Sequence, residues 1–144
     1  MRQTDIKEIL MKYRTVAIVG LSRNSSKDSY KVAEYLLKRG YRVIPVNPTM
    51  DEILEQKSYK SLLDMPSEIQ KALQIVDIFR PSADVMPIVQ QAIQLKRLYG
   101  VPYVVWMQLG IINEEAADVA RKAGLAVIMD KCMMQQHRQI FGDN

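Results

Sequence analysis

The sequence predicts a single α/β domain in which a parallel sheet is covered by helices on both faces. Five short apolar runs recur along the 144 residues. Each is nearly continuous and rich in β-branched residues, which is how strands buried on both faces read. Helical patterns separate the runs, as βαβ units require. The length fits one domain spanning residues 1–144.

The runs are residues 15–20 (TVAIVG), 41–47 (YRVIPVN), 74–79 (QIVDIF), 101–106 (VPYVVW) and 125–129 (LAVIM). Before the first lies a short helix over residues 5–12. Residues 29–39 place Val32, Ala33, Leu36 and Leu37 at helical spacing and stop at Gly40, a natural C′ residue. Residues 82–98 repeat the pattern with Val85, Val89, Ala92 and Ile93. Asn113 reads as an N-cap, with Glu114 and Glu115 in the positive first turn and Gly124 beyond the end. Pro45 falls inside the second strand and removes a ladder donor, so that strand is expected to be short or irregular. Residues 49–66 show no strong period and read as a surface loop with a short helix near 61–65. The expected architecture is a Rossmann-like doubly wound, five-stranded parallel sheet in the order 3-2-1-4-5.

Composition narrows the function classes. No apolar run approaches the ~20 residues that span a bilayer. The N-terminal stretch is charged throughout and lacks the apolar core of a secretory signal. No membrane association and a cytoplasmic location are expected. Cys132 is the one cysteine, so no intramolecular disulfide forms. The formal net charge of +4 is spread along the chain without a Lys/Arg block. Nucleic acid is therefore not expected as a partner, and a small polyanion or plain solubility explains the excess equally well.

In such sheets ligands sit beyond the carboxyl ends of the strands, where strand order reverses. The segment after the first strand is the richest in usable groups. Gly20 ends the strand, where a missing Cβ lets the backbone turn sharply or approach a ligand. Ser22, Asn24, Ser25, Ser26 and Ser29 follow, with Arg23 and Lys27 among them. Free amides at a helix start, hydroxyls and cations suit a phosphate or pyrophosphate. The same residues also read as a plain polar loop closed by a serine N-cap. The loop is neither GxGxxG nor a P-loop, and Asn47 stands where a ribose-binding acid would follow the second strand.

The stretches GLSRNSSKDSYKVAEYLLKRGYRVIPVNP, VDIFRPS, VWMQLGI and MDKCMMQQH, in this order and spacing, resemble the small stand-alone CoA-binding domain proteins. These are similar to the N-terminal CoA-binding domain of succinyl-CoA synthetase alpha subunits. The resemblance covers about residues 5–137. It implies coenzyme A as the cofactor, with its phosphates held by Gly20, Leu21, Ser22, Arg23, Lys27 and Ser29. It implies that Asn47 and Pro48 lie beside the adenosine end and that Phe79 and Arg80 close that side. Arg80 suits a phosphate bidentately; it also reads as an ion-paired surface arginine, and Phe79 as core. Trp106, Gln108 and Gly110 follow the fourth strand and are candidates for the pantetheine path, although Trp106 also reads as simple core. Cys132 lies just past the fifth strand. A helix N-terminus and Lys131 are expected to lower its pKa, against Asp130; the alternative is an unreactive, partly buried thiol.

The sequence departs from the family pattern at Asp28, where a proline is usual, at Lys131, where an arginine is usual, and near Leu54, where a glycine is usual. His137 is the one histidine and reads as a surface residue rather than a base. The phosphohistidine of the synthetases belongs to a domain outside this sequence. No His/Cys cluster suggests a metal. The expected function is therefore a non-catalytic module that holds coenzyme A or an acyl-CoA, with an unknown protein partner. The alternatives are a nicotinamide-cofactor oxidoreductase and an interaction domain with a vestigial nucleotide pocket.

Overall fold

The computed structural model describes residues 2–142. In chain order the elements are α1 (Gln3–Lys12), β1 (Thr15–Val19), α2 (Asp28–Lys38), β2 (Arg42–Val46), β3 (Glu52–Ile53), β4 (Gln56–Lys57), α3 (Ser67–Ala72), β5 (Ile75–Ile78), α4 (Val85–Tyr99), β6 (Val104–Met107), α5 (Glu114–Lys122), β7 (Ala126–Ile128) and α6 (Met133–Phe141). Single 3₁₀ turns at Leu62–Asp64 and Ser82–Asp84 precede α3 and α4.

β1, β2, β5, β6 and β7 form one five-stranded sheet, and every neighbouring pair in it is parallel. Alternate side chains of its strands feed two separate cores, as the pleat demands. Ala17, Val19, Val76, Ile78, Val105 and Met107 pack with α4 and α5. Val16, Ile18, Ile75, Val104 and Trp106 pack with α1, α2 and α6. Both faces are thus covered, which is why the strands carry unbroken apolar runs rather than alternation.

The doubly wound, Rossmann-like class is as expected, but one strand takes a different place. The sheet order is β2-β1-β5-β6-β7. Counted over these five strands it is 2-1-3-4-5, not the expected 3-2-1-4-5. The third strand pairs with β1 through Val16–Val19 against Ile75–Ile78, and β2 is left at the edge. Pro45 supplies the physical reason. It has no N–H to give to an outer strand, so a proline is tolerated where one flank of the strand needs no ladder. On the outer flank the Tyr59 N–H donates to the Pro45 carbonyl at 3.1 Å. Asn47 N–H returns a bond to the Tyr59 carbonyl at 2.9 Å.

Capping follows the sequence. Asn113 Oδ1 accepts from Ala116 N at 2.9 Å and starts α5; such a cap contributes about 1 kcal/mol. Pro87 falls in the first turn of α4, where its missing N–H has no intrahelical partner to lose. α2 begins one residue before the expected start and is capped at Lys27, with no side-chain cap bond. Ser29 therefore lies inside the helix and is not its cap.

The 49–66 segment holds more order than its pattern suggested. β3 and β4 make a small antiparallel hairpin, with Glu52 opposite Lys57 and Ile53 opposite Gln56. Its turn residues Leu54 and Glu55 have φ of 53° and 63°. Both lie in the left-handed region that favours glycine, and neither carries a turn-forming side chain. That conflict hid the hairpin from a reading by residue type. It also explains why the missing glycine near Leu54 matters locally and not to the fold. Glu55 is exposed, so Glu55→Gly should relieve strain without losing packing. The expected gain is about 1 kcal/mol, read as a higher urea midpoint at unchanged slope. A lower midpoint would mean that the Glu55 side chain stabilises the turn.

Candidate functional site

The carboxyl ends of β1 and β5 meet where the strand order reverses. Gly20 sits there at φ +90°. A Cβ on it would lie 2.5 Å from the Phe79 carbonyl oxygen and 3.1 Å from Arg80 Cδ. Gly20 is therefore demanded by the passage of β1 against β5, before any ligand is considered. Its N–H donates to the Val46 carbonyl at 2.9 Å, which ties the same point to β2.

The loop that follows is held by its own polar groups. Ser22 N donates to Ser29 Oγ at 2.9 Å, and Asn24 N to Ser22 Oγ at 3.0 Å. Ser26 N and Ser26 Oγ donate to Asn24 Oδ1 at 2.9 and 2.8 Å. Ser29 is buried and Leu21 fully so, while Arg23 and Lys27 are exposed. The hydroxyls of Ser22 and Ser29 thus shape the loop, and the cations and the first turn of α2 face outward. Asn47 clamps this loop from β2. Its Nδ2 donates to the Leu21 carbonyl at 2.9 Å, and its Oδ1 accepts from Thr49 N and Oγ1 at 2.8 and 2.9 Å.

Two hollows flank the Gly20–Phe79 crossing. The first, about 230 Å³, is lined by Gly20, Pro48, Lys60, Ser61, Arg80 and Asp84 among others. The second, about 190 Å³, is lined by Asp28, Val32, Phe79, Gln108, Leu109, Ile111, Cys132, Met134 and Gln135. Phe79 and Arg80 were expected on one side; consecutive residues at a strand end point to opposite faces, and here they open onto different hollows. Arg80 holds Asp84 at 3.5 Å with both side chains about half exposed, a weak pair that an anion can replace.

Several expected residues take structural places. Trp106 is fully buried, and its indole N–H donates to the Lys131 carbonyl at 2.8 Å. It belongs to the core and braces the segment before α6. Gly110 N donates to Asp130 Oδ1 at 2.7 Å, which ties the β6 and β7 loops together. Gln108 does line the second hollow, and so does Cys132 at the cap of α6. The thiol pKa is not lowered as expected. Burial pushes it up, and Asp77 and Asp28 add to that against the α6 amides. His137 is not a surface residue: it is buried, with Nδ1 2.8 Å from Tyr35 Oη. Burial, Arg39 and Arg14 lower its pKa, and it packs against Tyr35 and Tyr41, away from both hollows. Among the described residues no group of His, Cys, Asp and Glu is placed to hold a metal.

The sequence reading passed over Lys60, Ser61 and Asp77. Lys60 and Ser61 lay in the segment without a period, so nothing placed them beside Arg80. Asp77 was hidden inside an apolar strand, where its charge was itself the signal. It is fully buried on β5. Its Oδ1 accepts from Gln108 Nε2 at 2.7 Å, and its Oδ2 has no partner. Burial raises its pKa to about 7, while the Gln108 bond pulls the other way.

A family model described as a CoA binding domain matches residues 14–138. The chain belongs to this CoA-binding domain family. It is 36% identical over 135 residues to the uncharacterized protein YneT of Bacillus subtilis, covering 94% of this chain and 93% of that one. It is 29% identical to the alpha subunit of an ADP-forming acetate–CoA ligase of Pyrococcus furiosus, over 84% of this chain but 28% of that subunit. Among solved structures, a hypothetical protein from Pyrococcus horikoshii superposes with a TM-score of 0.89 at 38% identity, over 99% of this chain and 94% of that one. The domain therefore occurs both as a small protein and as a part of larger ligases. No helix among the described residues is long and apolar enough to cross a membrane.

The raised Asp77 pKa makes a stability prediction for this CoA-binding domain. The folded state holds the Asp77 proton up to about pH 7, whereas an unfolded aspartate releases it near 3.8. Stability from this group is present at low pH and falls as the pH rises through about 7. Asp77→Asn removes that loss. Relative to wild type, the variant should gain on the order of 2 kcal/mol more at about pH 8 than at about pH 5. Urea melts at both pH values measure it; a difference independent of pH would show that Asp77 ionises normally.

Proposed function

We propose that this domain is a cytoplasmic, non-catalytic holder of coenzyme A or an acyl-CoA. The observation that carries the reading is the pair of unlike hollows that flank the Gly20–Phe79 crossing, from which the loop into α2 departs. The loop between β1 and α2 offers outward cations at Arg23 and Lys27, and a helix start with no side-chain cap bond. The hollow with Lys60, Ser61 and Arg80 suits an adenosine end carrying a phosphate. The hollow walled by Val32, Phe79, Leu109, Ile111 and Met134 suits a slender, amide-bearing arm. Membership of the family and kinship with part of a CoA ligase support the same ligand.

Asn47 argues against the nicotinamide alternative. Both ends of its amide are engaged within the fold, and no carboxylate takes the place after β2 that would accept a ribose hydroxyl. An interaction domain with a vestigial pocket has no comparable observation in its favour.

Coenzyme A at a hundredfold excess over Kd should stabilise the fold by about 2.7 kcal/mol, a midpoint shift of roughly 5–15 °C. NAD(H) and NADP(H) should produce none. A shift with a nicotinamide nucleotide and none with coenzyme A would replace this reading with the oxidoreductase.

Lys60→Ala and Arg80→Ala should each weaken coenzyme A about tenfold by calorimetry at low ionic strength. The loss should shrink as salt is added. If Lys60→Ala and Arg80→Ala both bind as wild type does, the phosphate-bearing end lies elsewhere.

A further inference from the structure

We propose that Asp77 is a specificity-determining residue: by holding the amide of Gln108 it makes the cleft wall a hydrogen-bond acceptor, which favours an arm ending in a free thiol over one ending in a thioester. The proposal rests on the reading that this hollow takes the arm of coenzyme A.

A carboxylate only accepts, so it must be met by an N–H. Asp77 Oδ1 takes that N–H from Gln108 Nε2 at 2.7 Å. The amide of Gln108 is thereby oriented, with its nitrogen turned to the strand. Its Oε1 receives no hydrogen bond from a described residue and is not among the enclosed polar atoms. Gln108 itself lines the hollow, whose other walls are mostly apolar. An acceptor in such surroundings rewards a donor on the ligand and penalises a second acceptor placed against it. A free thiol is a donor, if a weak one; a thioester brings a carbonyl oxygen and no proton.

The orienting group is well chosen for this. An asparagine at the same position both donates and accepts, so it would let Gln108 present either end. Asp77 loses its selectivity in the same way when protonated, because its Oδ2 then carries a hydrogen. The titratable groups facing this region are Asp28 at the start of α2 and Cys132 at the cap of α6. Neither is a hydrogen-bond partner of the Gln108 amide. Asp77 acts through Gln108 and is a positioning residue.

The test is the ratio of dissociation constants for acetyl-CoA and coenzyme A, by calorimetry. A ratio cancels the phosphate contacts common to both ligands. At about pH 8 the wild type should prefer coenzyme A roughly fivefold. The preference should fade toward pH 6 as Asp77 takes up its proton. Asp77→Asn should bring the ratio near one at both pH values. Gln108→Leu, which removes the acceptor outright, should do the same and serves if Asp77→Asn folds poorly. Equal wild-type affinities at about pH 8, or a ratio untouched by both substitutions, would overturn the proposal while leaving the functional reading intact. If neither thiol nor thioester form binds, the functional reading falls, and this proposal with it.

Discussion

The contact on which the site depends is the passage of Gly20 beneath the Phe79 carbonyl. A Cβ there would intrude to 2.5 Å on a backbone oxygen that cannot swing aside. Because glycine stands there, β1 and β5 stay paired to their ends, with Phe79 N donating to the Val19 carbonyl at 2.8 Å. The two loops that leave this crossing then diverge on opposite faces. One turns over toward α2 with its serines and cations, and the other releases Phe79 and Arg80 to separate hollows. A glycine that looks like a device for ligand approach is first a device for strand approach. The open ground around the crossing is a consequence of that packing.

Pro45 works on the same sheet from outside. By removing one donor it fixes β2 as the edge, and the return chain must then place the next strand on the far side of β1. The reversal of strand order, and with it the cleft, sits between β1 and β5 for that reason. Tyr59 covers the edge with a single bridge to Val46, which limits pairing with other chains. The same short return carries Lys60 and Ser61 to the mouth of the first hollow. An edge cover and a set of polar side chains thus come from one stretch of chain.

Much of this was legible in the residues. The five runs, the helices between them, the Asn113 cap and the turn at Gly20 all follow from patterns a few residues long. What escaped depended on pairing between distant segments. Pro45 was read as a flaw in a strand, although its missing donor stated which flank of that strand had no neighbour. The β3–β4 hairpin was invisible because Leu54 and Glu55 adopt a turn that their side chains do not favour. Residue types gave Cys132 a lowered pKa from its helix terminus and Lys131, whereas burial beside Asp77 and Asp28 sets the sign. Trp106, Gln108 and Gly110 were grouped because they are adjacent in sequence. Depth separates them: Trp106 is fully buried in the core, and Gln108 is the one of these that lines the second hollow.

Asp77 is the point at which stability and the site pull apart. Its neighbours along β5 are apolar and fully buried, and an apolar residue in its place would escape the cost of burying a carboxyl with one unmatched oxygen. Nothing in the packing of the sheet calls for a charge there. One hydrogen bond to Gln108 does not offset that cost: it nets about 1 kcal/mol when the carboxyl is neutral and about 2 when it is charged, against several for the burial of an ion. Local inconsistencies of this kind concentrate where a fold serves something besides its own stability. Here the inconsistency lies one hydrogen bond behind the wall of the second hollow, through Gln108. What the bond provides is an oriented amide on the wall of that hollow. A wall of fixed polarity is what a cleft needs to tell apart two ligands that differ only at their last few atoms.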